Sequence, residues 1–183
     1  MGLFTPDLNN LRELYRTMLQ RSLDSERQIV NDGLPAMIED STNSELKNAF
    51  RTHLTESKEH VSRLERILRE NDGEASTTKC KVTAALISEG GSAAKDAKDQ
   101  TLRDVVLIAA GNQVEHHEIA IYGTLRNMAI ILGEAEHAAL LDKTLDEEKH
   151  ADKVLTELSE QINVSDIRFQ GKVRSVGQSA HRK

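Results

Sequence analysis

Gly111-Asn112-Gln113-Val114-Glu115-His116-His117-Glu118-Ile119-Ala120-Ile121-Tyr122 places two glutamates in the middle of a stripe that continues through Leu125, Ala129 and Leu132. Apolar residues spaced three and four apart mark the buried face of a helix. A carboxylate on that face is costly unless something positive holds it. The oddity recurs along the chain. Glu26 interrupts Leu11, Tyr15, Met18, Ser22 and Ile29. Glu56 sits among Leu46, Ala49, Phe50, His53, His60 and Leu64. Glu147 lies between Leu140, Thr144 and Ala151, Val154, Leu158. Such stretches on four helices, with histidines beside them, read as carboxylates gathered inside a bundle, where a metal pair is the usual counter-charge.

The remaining punctuation is helical. Thr5-Pro6-Asp7 reads as a cap with proline at the first helical position, opening a first helix that runs to about Asn31. Gly33 and Pro35 are expected to kink or break it before a short piece ending near Asp40. Thr42-Asn43-Ser44-Glu45 has the spacing of a capping box and opens a second helix that ends near Asn71-Asp72-Gly73. Residues 73–79 read as a loop, and Cys80–Glu89 as a short helix stopped by Gly90-Gly91. A third helix spans Thr101 to Leu132, with Gly133 ending it, and a fourth spans Glu134 to Ile162. Each long helix is roughly 40–48 Å at 1.5 Å per residue. Short turns make antiparallel neighbours, so the expected fold is all-α: two antiparallel helical hairpins joined by a long crossover containing a short helix, the ferritin-like four-helix bundle. The bundle is expected over residues 1–163. The basic segment 164–183, with Arg168, Lys172, Arg174, Arg182 and Lys183, reads as a disordered tail.

Counting from the turns brings the acids to one height. Glu26 lies 16 residues before Thr42, Glu56 lies 14 after it and His60 18 after it. Glu115 and Glu118 lie 18 and 15 before Gly133, and Glu147 and His150 lie 14 and 17 after it. The hairpins also repeat each other: Glu26 to Glu115 is 89 residues, Glu56 to Glu147 is 91, and His60 to His150 is 90. Carboxylate oxygens with imidazoles suit a pair of divalent ions, and Glu147-Glu148-Lys149-His150 has the Glu-x-x-His spacing of di-metal bundles. The candidate ligands are therefore Glu26, His53, Glu56, His60, Glu115, Glu118, Glu147 and His150, with His53 and His60 alternatives on the Glu56 face. Glu148, Glu59, Glu65, Glu157 and His137 read as surface residues, and Tyr15 and Tyr122 as core tyrosines with a hydrogen-bonded hydroxyl.

Charged residues make up 30% of the 183, and the formal net charge of −6 gives no general attraction to nucleic acid or an anionic membrane. No apolar run approaches the roughly 20 residues of a membrane span, and the N-terminus lacks a charged-then-apolar signal. A single Cys80 cannot form an internal disulfide, which fits a reducing, cytoplasmic setting.

Several segments carry a family resemblance. Ser25-Glu26-Arg27-Gln28-Ile29 is similar to A-E-K-Q-L, His53-Leu54-Thr55-Glu56-Ser57 to H-L-E-E-T, and Thr144-Leu145-Asp146-Glu147-Glu148-Lys149 to T-L-x-E-E-K. Leu107–Ala110 with Val114–Thr124 is similar to L-I-A-A followed by V-E-H-Y-E-I-A-x-Y-G-T. Over residues 7–162 the chain thus resembles the bacterial YciE/YciF-type ferritin-like proteins. That resemblance implies a rubrerythrin-like bundle, often dimeric, with a candidate di-iron or related site and an association with general stress responses. It supplies no enzymatic activity. Its motifs cover Glu26, His53, Glu56, Glu115, Glu118 and Glu147, whereas His60 and His150 lie outside the usual pattern.

The leading expectation is a stress-associated homodimer whose bundle binds two divalent ions, iron first, with manganese or zinc as alternatives. A second is a di-iron or di-manganese oxidoreductase acting on peroxide or dioxygen. With one cysteine and no four-Cys rubredoxin module, it would need an external electron donor. A third is a metal-free structural or interaction protein whose polar layer specifies pairing.

Overall fold

The computed structural model describes residues 9–166, with side chains through Ile162. The described residues form helices α1 (Leu11–Gln28), α2 (Leu34–Asp40), α3 (Ser44–Asp72), α4 (Lys81–Asp96), α5 (Gln100–Ile131) and α6 (Ala135–Asp166), and contain no strand. The proposed cap at Thr5-Pro6-Asp7 and residues 167–183 of the expected tail lie outside the described residues, and α6 itself continues past 163 to Asp166.

α1, α3, α5 and α6 make the bundle. α1 packs on α3 and α5, and α6 packs on α5 and α3. Gly73 (φ 79°) ends α3 and Gly133 (φ 78°) follows α5, each in the left-handed conformation that glycine takes without steric cost. The expected all-α bundle of two hairpins is the observed architecture.

Three local expectations are corrected. The first helix is not broken at Gly33 and Pro35. Residues Ile29–Gly33 form a π-helical turn that runs straight into α2. In it the Leu34 N–H reaches back five residues to the Ile29 carbonyl. Pro35 has no N–H and its ring would crowd the carbonyl four residues earlier, so the wider turn accommodates it inside a continuous helix. The α3 cap is Asn43, not Thr42: the Asn43 side chain accepts from the Glu45 and Leu46 amides at 2.9 and 3.0 Å. Thr42 is engaged elsewhere, since its amide and hydroxyl, together with the Asn43 amide, all donate to the buried Asp104 of α5. One carboxylate thus ties the first hairpin's turn to the second hairpin.

Gly90-Gly91 does not stop the crossover helix either, for α4 runs through both. Gly90 is where α4 lies against α5, and a Cβ there would stand 2.7 Å from the Ala110 Cβ. The glycine is retained for space rather than as a helix end.

The core is split in two. One apolar cluster gathers Tyr15, Leu19, Leu23, Leu64, Leu68, Leu125 and Leu141. The other gathers Ile29, Leu46, Phe50, Leu107, Leu155 and Leu158. Between them, at the height of residues 25–26, 53–60, 115–118 and 148, the interior is polar.

The two glycines of α4 should respond oppositely to alanine. Gly91 has nothing within 4 Å of an added Cβ, so Gly91→Ala is expected to stabilise by about 0.8–1 kcal/mol through helix propensity. Gly90→Ala gains the same propensity but overpacks the α4–α5 contact, and is expected to be net destabilising by about 1–2 kcal/mol. Urea unfolding midpoints of the two variants give the comparison.

Candidate metal site

The buried seam of α3 steps through Phe50, His53, Ser57, His60, Leu64 and Ile67, alternating by four and three as a helix face in a bundle does. Both histidines stand on it, 4% and 0% exposed. α1 brings in Glu26 and α5 brings in Glu115 and Glu118, all nearly inaccessible to solvent. α6 brings in Glu148, also fully buried, and not Glu147.

The reason lies in the α6 face. Its deepest residues are Leu141, Thr144, Leu145, Glu148 and Leu155, while Leu140 and Val154 are only partly buried. Leu140, Glu147 and Val154 share a seven-residue spacing, and so do Leu141, Glu148 and Leu155. The stripe chosen from sequence is the edge of the buried face and its neighbour is the centre. Glu148 was expected on the surface and is corrected to the core. His150 is exposed, so the expected Glu147-x-x-His150 pair does not face the interior. His137 is likewise corrected: it is buried, with Nε2 3.0 Å from Glu70 Oε2.

Two groups of side chains result: His53, Glu115, Glu118 and Glu148, and Glu26, His60 and Glu148. In each, one ligand atom per residue lies within 4.8 Å of all the others, and Glu148 belongs to both. His60 Nδ1 stands 3.2 Å from Glu26 Oε1 and 2.9 Å from Glu148 Oε1. His53 Nε2 stands 3.3 Å from Glu115 Oε1 and 3.5 Å from Glu148 Oε2. Yet neither of these nitrogens makes a hydrogen bond, and one or both oxygens of Glu26, Glu115, Glu118 and Glu148 are also without a partner. Atoms close together but not directed at one another are arranged around a common point. Ligands about 2.0–2.1 Å from one ion stand about 3.0–3.4 Å from each other, and the histidine–carboxylate distances here run from 2.9 to 3.5 Å. Four carboxylates and two neutral imidazoles carry the negative charge that two divalent ions cancel. The residues present therefore fit a cation pair.

Glu56 and Glu147, both expected as ligands, stand behind the histidines. Glu56 Oε2 is 3.5 Å from His53 Nδ1, on the side away from Glu115. Glu147 Oε2 is 3.0 Å from His60 Nε2, on the side away from Glu26. Arg63 holds Glu147 in a bidentate pair and draws it out of the interior. A carboxylate on the far nitrogen fixes an imidazole's tautomer and orientation.

Protonation follows from the crowding. Burial alone would lower both imidazoles. The Glu115 and Glu148 carboxylates more than offset it for His53, which is held well above the usual histidine range. Glu26 and Glu148 do the same for His60, raised to about 10. Burial, then Glu26, Glu148 and Glu115, push Glu118 well above the usual carboxylate range. Burial raises Glu148 to about 8, against the lowering influence of His53. Glu115 is buried too, but His53 beside it brings it below the ordinary value. Tyr122 donates its hydroxyl to Glu26 Oε1 and its ring stands 6.1 Å from that of His60, as a hydrogen-bonded core tyrosine should. The Tyr15 hydroxyl is buried without a hydrogen bond.

One polar chain had no signal in the sequence. Ser25 Oγ donates to Glu118 at 3.4 Å and shares a 2.6 Å hydrogen bond with Thr83 Oγ1. Thr83 lies 3.3 Å from Cys80 Sγ, which lies 3.9 Å from His117 Nε2. Burial would raise the thiol, but His117 and Thr83 lower it to about 7. These residues meet only because α4 crosses the bundle beside α1 and α5.

Comparison with known proteins agrees with this architecture. The family model described as "Domain of unknown function (DUF892)" matches residues 10–167. Protein YciF of Escherichia coli (strain K12) is 32% identical over 154 residues, covering 84% of this chain and 92% of that protein. The crystal structure of the E. coli stress protein YciF aligns with a TM-score of 0.80 at 29% identity, covering 88% of this chain and 99% of that one. YcfI from Rhodopseudomonas palustris, described only provisionally as a structural protein, aligns with a TM-score of 0.80 at 32% identity over 84% of this chain and 98% of its own. The chain belongs to the DUF892 family, and the resemblance to YciF-type proteins holds over most of its length.

The metal-free protein should lose stability at alkaline pH. His60 is raised to about 10, so its contribution is complete below its ordinary value near 6.5 and disappears as pH rises through 10. Glu148, raised to about 8, is buried at least cost while protonated, so its share is lost between its ordinary value and pH 8 and changes no further above that. Both act in the same direction. Thermal unfolding of chelator-treated protein should show Tm falling from about pH 6.5 to about pH 10, with His60 alone responsible above pH 8, whereas protein loaded with a divalent ion should hold its Tm over that range.

Proposed function

We propose that this member of the DUF892 family is a cytoplasmic, stress-associated homodimer of the YciF type whose bundle binds a pair of divalent ions, iron first, with manganese or zinc as alternatives. The supporting observation is the set of buried, unpartnered histidine nitrogens and carboxylate oxygens grouped about Glu148. A purely structural polar layer would satisfy its own members, because each unpaired buried group costs on the order of 1–3 kcal/mol. Here the imidazoles and carboxylates approach to 2.9–3.5 Å as ion pairs but without hydrogen-bond geometry. The stress association rests on the name of the E. coli relative. No described helix is long and apolar enough to cross a membrane.

In this reading His53, Glu115, Glu118 and Glu148 hold one ion, and Glu26, His60 and Glu148 hold the other. Glu56 and Glu147 orient the two imidazoles, and Arg63 keeps Glu147 out of the coordination sphere. Tyr122 fixes Glu26 through its hydroxyl. A bound iron or manganese pair would supply Lewis-acid or one-electron chemistry. Any turnover that consumes electrons would need an external donor, since Cys80 is the only cysteine.

Elemental analysis after anaerobic loading with Fe(II) or Mn(II) and gel filtration tests the reading, with two ions per chain expected. Less than a tenth of an ion per chain would leave the metal-free structural reading standing.

The Glu147/Glu148 pair separates the assignments within the site. Glu148→Ala should remove both ions, because that residue is common to both groups. Glu147→Gln should keep both while weakening affinity about 10–100-fold, the usual consequence of losing a residue that orients a ligand histidine. His150→Ala should leave the final stoichiometry unchanged. Equilibrium titration with Co(II) reads all three variants.

A further inference from the structure

The layer is sealed along the bundle axis. The cluster around Leu19, Leu64 and Leu125 closes one side and the cluster around Phe50, Leu107 and Leu158 the other. A hydrated divalent ion cannot cross either without losing its shell to apolar side chains that return nothing. Entry must be lateral.

Two side pockets border the layer, and Glu115 lines both. One lies among the π turn, α2, α4 and α5. Its wall is formed by Ile29, Leu34, Met37, Leu86, Ile87 and Leu107, and its space is small, about 50 Å³. The other is a cleft of about 220 Å³ between α3 and α6, helices that meet far less closely than α5 and α6 do. Its inner end is His53 and Glu115, each nine-tenths or more buried and each with unpartnered ligand atoms. Its outer part carries Thr52, Glu56 and His150, with Thr52 and His150 exposed to solvent and Glu56 partly so. Ala151, at the third position after Glu148, lines the cleft with a side chain too small to close it.

We propose that the α3–α6 cleft is the port through which a hydrated divalent cation reaches the buried groups, with Glu56 and His150 at its mouth replacing part of the hydration shell. The proposal rests on the metal-binding reading above. It gives both residues work that a static ligand set does not. Glu56 faces solvent on one side and His53 on the other, so an ion held at Glu56 is next to its first interior ligand. His150 offers an imidazole within the cleft and contributes nothing to the final groups. Most of the cleft wall is apolar, from Ala49, Phe50, Val154 and Leu155, and its oxygen and nitrogen groups come from Thr52, Glu56 and His150 together with the buried His53 and Glu115. Asp40 also lines the pocket on the other side, but that pocket offers no imidazole and only about 50 Å³ of space against about 220 Å³ in the cleft.

Uptake kinetics test this independently of equilibrium. Thr52→Trp and His150→Trp place a large side chain on the rim at two exposed positions, so folding is not at risk from burial. Leu86→Trp fills the apolar pocket and serves as the other arm. Stopped-flow mixing with Co(II), read by cobalt absorption, should show both rim variants loading about tenfold more slowly than the parent chain. Release to excess chelator should slow by the same factor, and final absorbance and affinity should be unchanged, because a blocked path alters rates without altering end states. Leu86→Trp should load at the parent rate. The chain has no tryptophan of its own, so quenching of Trp at position 52 should precede the absorbance change. Rim variants that load as fast as the parent, or slow loading confined to Leu86→Trp, would overturn the port. A parent chain that takes up no Co(II) would instead bring down the metal reading on which it depends.

Discussion

Carboxylates removed from water must be neutralised, and the rest of this bundle is arranged around that requirement. Glu26, Glu115, Glu118 and Glu148 come from three helices and occupy one height. Among the described residues no lysine or arginine forms an ion pair with them, and Arg63 is paired with Glu147. Without ions, the layer holds its charge down by keeping protons on His53, His60, Glu118 and Glu148. With ions, those protons would leave. The two apolar clusters on either side make the requirement stringent, since they exclude the water that would otherwise solvate the acids.

Much of the outer arrangement supports the layer. The π turn directly after Glu26 lets one helix carry both that acid and a proline without a break. Asp104 holds the first hairpin's turn against α5, and this couples the heights of the two hairpins. Gly90 lets α4 approach α5 closely enough for Thr83 and Cys80 to join the polar network. Glu56 and Glu147, 91 residues apart in the sequence, both stand behind histidines of α3, Glu56 on His53 Nδ1 from the same helix and Glu147 on His60 Nε2 from α6, so the sequence repeat is not carried into these contacts.

The fold was legible because its signals are local. Helix ends at Gly73 and Gly133 and the lengths of the turns decide a bundle of hairpins, and these depend on few neighbours. Glu26, Glu115 and Glu118 were found because each is flanked by unambiguous apolar positions. α6 was misread by one residue. Glu147 and Glu148 are adjacent, each heads a plausible stripe, and only packing against α3 and α5 decides between them. The Glu-x-x-His pattern favoured Glu147, the less buried of the two. In this chain the pattern is divided: α6 keeps the acid at Glu148 with Ala151 in the third place after it, and α3 keeps His60 with Ser57 three places before it. Glu118 and His53 supply an acid and an imidazole to the first group from other positions. No single-helix motif could have indicated that, nor could the meeting of Ser25, Thr83 and Cys80, which depends on where a crossover helix lies.

If the two groups take up ions as proposed, the membership of Glu148 in both would make the two halves a linked equilibrium. An ion in one half would draw on the same carboxylate that the other half needs, so the half-filled chain would be a distinct chemical species rather than an average of empty and full. The sign of that linkage would depend on whether the shared carboxylate is better divided or better undivided. One side chain would thereby determine whether the population consists mainly of empty and filled chains or of chains stalled in between.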